Sequence, residues 1–281
     1  MEIIMYEGEE ILSAKYDHVF KALFTGEDRT LLASFLSSVL ETRIGAGDVT
    51  ILNAEPPSEN RKDKRPRLDV RARLADGSDI NIEMQAADKG NMGKRSLYNL
   101  SRLMSGQLRS GGDTDYGGLC PTIAINVLDF DYLKEQGKYV SRYRMREAEN
   151  GIEMRDGKYF EIIFIELPKL PKDAGDSMIE LWVKFFSAKT EEDLKMLAAK
   201  NPVFGTAVKR LREFSADDIE RYWADMELKA ELDRNTDIAE AKQKGVVESL
   251  TKVVKAMRAN GFDNSSIAEM IDCPVAEIER L

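Results

Sequence analysis

RPRLDVRARLADGSDINIEMQ, residues 65–85, reads as two strands joined by a tight turn. In the first, Leu68, Val70, Ala72 and Leu74 alternate with Asp69, Arg71 and Arg73; in the second, Ile80, Ile82 and Met84 alternate with Asn81, Glu83 and Gln85. Period two is the pattern of half-buried strands. The turn Ala75-Asp76-Gly77 sets the partners. A two-residue Asp76-Gly77 loop would put Val70 opposite Glu83 and mix the two faces, because a one-residue slip exchanges core and solvent sides. A three-residue loop with Gly77 left-handed instead pairs Leu74 with Ser78, Ala72 with Ile80 and Val70 with Ile82. That register predicts Asp69 across from Glu83, with Cβ atoms about 4.5–5.5 Å apart, and Gln85 further along the same face. Two carboxylates so placed could share a divalent cation; magnesium takes one or two protein carboxylates and fills its remaining positions with water and phosphate oxygens. The alternative is an ordinary hairpin with a solvated polar face, on which a directly opposed Asp and Glu would be mildly repulsive.

The chain of 281 residues is long enough for a substantial core in one or two domains. Its 43% hydrophobic and 32% charged residues suit a soluble globular protein. No apolar run reaches about 18 residues and no basic-plus-apolar signal opens the chain, which argues against membrane insertion or secretion and predicts a cytoplasmic protein. Cys120 and Cys273 are single and far apart, which disfavours a disulfide framework or a cysteine-based zinc site, and His18 is the one histidine, too few for a His-pair zinc motif. The net charge of −9 is unevenly spread. Glu59–Arg109 holds twelve Lys/Arg against seven Asp/Glu, a local +5 that leaves −14 for the rest. Local potential rather than total charge guides a polyanion, so a basic segment around a carboxylate pair fits phosphate handling; simple solvation of the hairpin is the competing explanation.

Taken in order, residues 1–12 predict an arm or short strand, and Lys15–Phe24 a helix with Tyr16, Phe20, Leu23 and Phe24 on one face. Asp17 and Lys21 fit an ordinary intrahelical pair, and His18 a partly buried neighbour. Arg29–Leu40 is a second, core-facing helix and Asp48–Ala54 a strand, followed by the Pro56-Pro57-Ser58 break. Beyond the hairpin, Lys94–Arg109 predicts an amphipathic helix with Leu97, Leu100, Met104 and Leu108 on one side and Arg95, Tyr98, Arg102 and Arg109 on the other. An aromatic ring among arginines suits a nucleic-acid backbone, although a basic stripe is more often a solvated face. Cys120–Asp129 reads as a central strand covered on both sides. Arg142–Met154 and Lys158–Leu167 read as a second hairpin turning at Asp156-Gly157, and Met178–Ser187 as a helix packing Trp182, Phe185 and Phe186. Helices follow to Leu232 and over Ile238–Asn260, with two short ones around Cys273-Pro274 that resemble a helix-turn-helix. Phe262–Leu281 sums to −4, a poor charge for an independent DNA reader, and predicts a packing or oligomerisation module.

Asp69, thirteen intervening residues and Glu83-Met84-Gln85 resemble the PD-(D/E)XK nuclease motif in the E-x-Q form of the recombination-promoting nuclease (Rpn) family, also described as transposases. The D-x-x-F-K element Asp17–Lys21, the R-x-x-Y step Arg95–Tyr98, Gln107 and the ELPK segment Glu166–Lys169 are similar to family elements in the same order. The resemblance implies an α/β fold, a PD-(D/E)XK (restriction-endonuclease-like) mixed sheet flanked by helices with an α-helical C-terminal region. The domains expected are a nuclease-like core over 1–188, a helical extension over 189–236 and a C-terminal tail over 237–281. The implied activity is metal-dependent hydrolysis of DNA phosphodiesters in recombination or mobile elements. Asp69 and Glu83 would ligate Mg²⁺ or Mn²⁺, with Gln85 and Asp17 completing the catalytic set. Arg95, Tyr98, Arg102, Arg71 and Lys94 would contact DNA. A homo-oligomer through the C-terminal helices is the other partner expected. Gln85 stands where the superfamily has lysine, and a neutral amide cannot replace that charge; Arg95 is the nearest substitute in sequence. The other reading is a nuclease fold that binds DNA or assembles without useful catalysis.

Overall fold

The computed structural model describes residues 3–52, 70–108, 115–213 and 249–278. Its contacts divide the chain into two units, Met1–Phe214 and Ser215–Leu281. The first unit is built on a six-stranded mixed sheet in the order β3-β4-β5-β6-β8-β7, with β3 Val49–Ile51, β4 Val70–Leu74, β5 Asp79–Gln85, β6 Thr122–Leu128, β7 Val140–Tyr143 and β8 Phe160–Glu166. β3, β4 and β5 form an antiparallel meander, β5, β6 and β8 run parallel, and β7 closes the far edge antiparallel to β8. All seven residues of β6 are buried, as its nearly continuous apolar run predicts.

Helices cover both faces of the sheet. α1 (Asp17–Thr25), α2 (Thr30–Leu40), α4 (Met178–Ser187) and α6 (Pro202–Arg212) share an aromatic core in which Phe20, Phe24, Phe35, Trp182, Phe186 and Phe204 are each at most 1% exposed. α3 (Met92–Ser105) lies against the other face, where Met92 and Leu100 meet Ala124, Leu128, Ile162 and Phe164. The helical extension expected from residue 189 enters the described residues as α5 (Glu191–Lys200) and α6, both within the first unit. Local chemistry starts these helices. Thr190 Oγ1 accepts the Asp193 N–H at 3.2 Å while the Asp193 carboxylate accepts the Thr190 N–H at 3.0 Å, and Asn201 caps α6 ahead of Pro202. Burial opposes charge on Asp193, but hydrogen bonds from Lys189 and Thr190 outweigh it and hold the carboxyl below its ordinary range. The N-terminal arm is a hairpin, β1 (Ile3–Tyr6) with β2 (Glu9–Leu12), turning through Glu7 and Gly8, both left-handed.

The second predicted hairpin is corrected. β7 and β8 pair only over Val140–Tyr143 and Ile162–Ile165, and the chain then folds back on itself through an isolated Arg146–Glu153 bridge, turning at Gly151 (φ +71°) rather than at Asp156-Gly157. The Glu147 carboxylate accepts the Asn150 and, more weakly, the Glu149 N–H groups, which stabilises this turn and lowers the Glu147 pKa. In the second unit, described over 249–278, the helical residues 249–259 (α7), α8 (Asn264–Met270) and α9 (Val275–Ile278) enclose a small core of Val254, Ile267, Ala268 and Ile278. The two short helices stand where Cys273-Pro274 predicts them; the expected stretch from Ile238 lies partly outside the described residues.

Candidate functional site: the carboxyl end of the central hairpin

The register of the hairpin is the one the three-residue turn predicts. Val70 faces Ile82 and Ala72 faces Ile80, the Leu74 N–H donates to Ser78 O at 2.9 Å, and Gly77 has φ +88°. A Cβ at Gly77 would stand 2.7 Å from Cys120 Sγ. Gly77→Ala is therefore expected to lose at least about 1–2 kcal/mol from the left-handed backbone alone, with the Cys120 clash added, read as a lower denaturant midpoint. Asp69 adjoins the first described residue of β4 and lies outside the described residues, as does Arg109. Asp17 is the first residue of α1, and its side chain also lies outside the described residues.

The polar face of β5 is not solvated. Asp79, Asn81 and Glu83 are each at most 1% exposed: Asn81 pairs with Glu83 beneath α3, and Asp79 is covered by arginines of β4. Asp79 takes Arg73 Nε at 2.9 Å and Arg71 at 3.1 Å, joining β4 to β5, and this hydrogen bond raises the Arg73 pKa. Arg71, expected at DNA, is tied to that carboxylate and one-third exposed. α3 is also rotated from the expected face. Met92, Ser96, Asn99, Leu100 and Leu103 point inward, whereas Leu97 is 51% exposed, because the helix must bring polar groups to the polar face of β5.

Glu83 is the centre of this arrangement. Its Oε1 accepts Asn99 Nδ2 at 2.6 Å and Asn81 Nδ2 at 2.9 Å. Its Oε2 has no hydrogen-bond donor among the described residues; Arg95 Nε stands 3.3 Å away without hydrogen-bonding geometry. The same guanidinium donates to Gln85 Oε1 at 3.1 Å, so a positive charge stands beside the glutamine. Residues 14–241 match the family model of PD-(D/E)XK nuclease family transposases. The chain belongs to that family. No curated protein and no solved structure matches it significantly.

PD-(D/E)XK nucleases generally use divalent metals. Among the described residues no group of three or more His, Cys, Asp or Glu side chains could hold one, but the donor set fits in part: Glu83 Oε2 is a buried carboxylate oxygen with no hydrogen-bond donor among the described residues, and it and Gln85 Oε1 are two oxygens gathered around the Arg95 guanidinium. Of the other family elements, Tyr98 is 56% exposed with Arg102 5.9 Å over its ring, and Lys94 is exposed. Gln107 is structural. Its amide donates to Cys120 O and Thr122 Oγ1 and accepts the Cys120 N–H, fixing the end of α3 to the start of β6. The ELPK segment is structural too: buried Glu166 accepts the Tyr132 and Leu133 N–H groups, and Lys169 pairs with it at 2.9 Å and with Asp131 at 3.0 Å. Burial opposes charge on Lys169, and these two carboxylates outweigh it and raise its pKa.

Asn81 and Asn99 escaped the sequence reading, as did the Lys15–Asp129 pair at 2.9 Å, beside the end of β5, where the Asp129 N–H donates to Gln85 O. Asn99 lies four residues after Arg95, one turn along the same helix side, and Asn81 lies two before Glu83 on one strand face; those spacings were the available signal. No described helix is long and apolar enough to cross a membrane.

Proposed function

We propose that this chain is a metal-dependent DNA endonuclease that hydrolyses phosphodiester bonds and serves recombination or mobile elements. The observation that carries the reading is Glu83, buried at 1% exposure with Oε1 fixed by two amides and Oε2 left, among the described residues, without a hydrogen-bond donor beside Arg95. Glu83 and Asp69 would hold Mg²⁺ or Mn²⁺, with Asp17 a further carboxylate. A divalent ion bound there would activate a water and draw charge from the phosphate. Gln85 orients Arg95, which carries the positive charge that the lysine of other superfamily members would supply. Arg95, Tyr98, Arg102, Lys94 and Arg71 form the DNA-facing set, in which guanidinium groups match phosphate geometry and an exposed ring can stack. The protein acts in the cytoplasm, and its C-terminal helices support a homo-oligomer.

One observation favours a second reading, a catalytically silent nuclease fold that binds DNA: the Arg95 guanidinium lies at the very carboxylate edge a cation would use. Nicking of supercoiled plasmid by the purified full chain separates them. With Mg²⁺ the circles are expected to relax, and EDTA is expected to stop the reaction. Equal background with and without metal, alongside DNA binding that weakens with salt, would select the silent reading.

A further inference from the structure

We propose that Asn99 and Asn81 are positioning residues that turn Glu83 so that its Oε2 edge alone is offered to a divalent cation; the inference rests on the metal-dependent reading above. A carboxylate oxygen accepts about two hydrogen bonds in its plane, and the two amide donors at 2.6 and 2.9 Å fill Oε1. They come from different elements. Asn81 is two residues before Glu83 on β5, and Asn99 descends from α3, so the carboxylate is held from the strand and from the helix at once. Both amides and the carboxylate are at least 98% buried.

The helix is itself anchored at this level. Ser96 Oγ donates to Asn126 Oδ1 at 3.0 Å, Asn126 is the cross-strand partner of Glu83 on β6, and Asn126 Nδ2 continues to Ile163 O on β8. The choice of amides is chemically pointed. One guanidinium, Arg95, already stands 3.3 Å from Oε2; a lysine or arginine in place of either asparagine would add a second positive charge, whereas an amide donates to Oε1 without a net charge and leaves Arg95 as the single cation a divalent ion has to displace. Asn81 Oδ1 and Asn99 Oδ1 have no donor among the described residues. Both amides thus present their NH₂ groups to Glu83 at the expense of their own carbonyls, an arrangement that packing alone would not favour.

The test is Mn²⁺ binding to the full chain without DNA, followed by electron paramagnetic resonance, together with thermal melting in EDTA. Outer partners of a metal ligand typically set about 10- to 100-fold in affinity, so Asn99→Ala and Asn81→Ala are each expected to weaken Mn²⁺ by that factor. Ser96→Ala, which loosens the same helix without touching Glu83, is expected to lower the melting temperature and leave Mn²⁺ affinity within twofold. If Asn99→Ala does not fold, Asn81→Ala decides alone. Affinity unchanged in the asparagine variants but lost in Glu83→Gln would overturn the positioning role and leave the metal reading standing. A wild-type chain that binds no Mn²⁺ would remove both.

Discussion

Trp182→Ala is expected to destabilise the first unit by about 3–5 kcal/mol, the usual cost of emptying a large aromatic site. The Trp182 side chain is fully buried, and the rings of Phe24, Phe35, Phe185, Phe186 and Phe204 lie with centroids 5.1–5.7 Å from it. These rings come from four helices, α1, α2, α4 and α6, so no single side chain can relax into the void. The indole also donates to Ser34 Oγ at 3.3 Å, a bond lost with the ring. Against a total stability of about 5–15 kcal/mol, such a loss removes much of the margin. It would be read as a lower urea midpoint with an unchanged denaturant slope, and as a fall of roughly 6–20 °C in melting temperature. A midpoint within experimental error of the parent would show that the helical layer does not depend on this cluster. The consequence reaches the site, because α1, whose first residue is Asp17, is held to α2 and α4 through the Phe20 and Phe24 rings packed on Phe35, Trp182 and Phe186.

What the sequence revealed and what it hid have physical causes. The hairpin register was legible because only one turn length puts Val70, Ala72, Ile80, Ile82 and Met84 on one side, and a slip would bury Arg71 and Arg73 with them. The centrality of β6 was legible because Thr122–Leu128 is apolar on both faces except for Thr122 and Asn126, leaving no continuous polar face to expose. The family motifs then supplied the mixed sheet and its flanking helices. The face of α3 was not legible. Periodicity assigns apolar residues inward, but the surface α3 covers is apolar only in part and is polar at Glu83 and Asn126, so Ser96 and Asn99 turn in and Leu97 turns out. Nor does alternation reveal that the polar side of β5 is covered, since Asn81 and Glu83 read identically on a solvated face. The irregular segment between β7 and β8 was misread for a related reason. Asp156-Gly157 has turn chemistry, but the reversal is made at Gly151, where Glu147 supplies the N–H acceptors.

Glu83→Gln is expected to reduce Mg²⁺-dependent plasmid nicking by on the order of 10³-fold or more while the fold survives. The two side chains have the same shape, and a glutamine at 83 can still offer its carbonyl oxygen to Asn99 and Asn81 in place of Oε1. Its NH₂ then takes the position of Oε2. That group has no lone pair for a cation and faces the Arg95 N–H now 3.3 Å from the carboxylate. Lewis-acid stabilisation of phosphoryl charge is worth several kcal/mol, and about 4 kcal/mol corresponds to about 10³ in rate. Stability is expected to change by only about 1 kcal/mol, since the lost attraction to Arg95 is offset by burying an amide instead of a charge. The contrast between rate and stability is the informative part. A residue with a purely structural role would lose both together, and one on a silent nuclease fold would lose neither. Nicking that stays within tenfold of the parent, with the melting temperature unchanged, would show that the buried carboxylate at the end of β5 is not where the phosphodiester is broken.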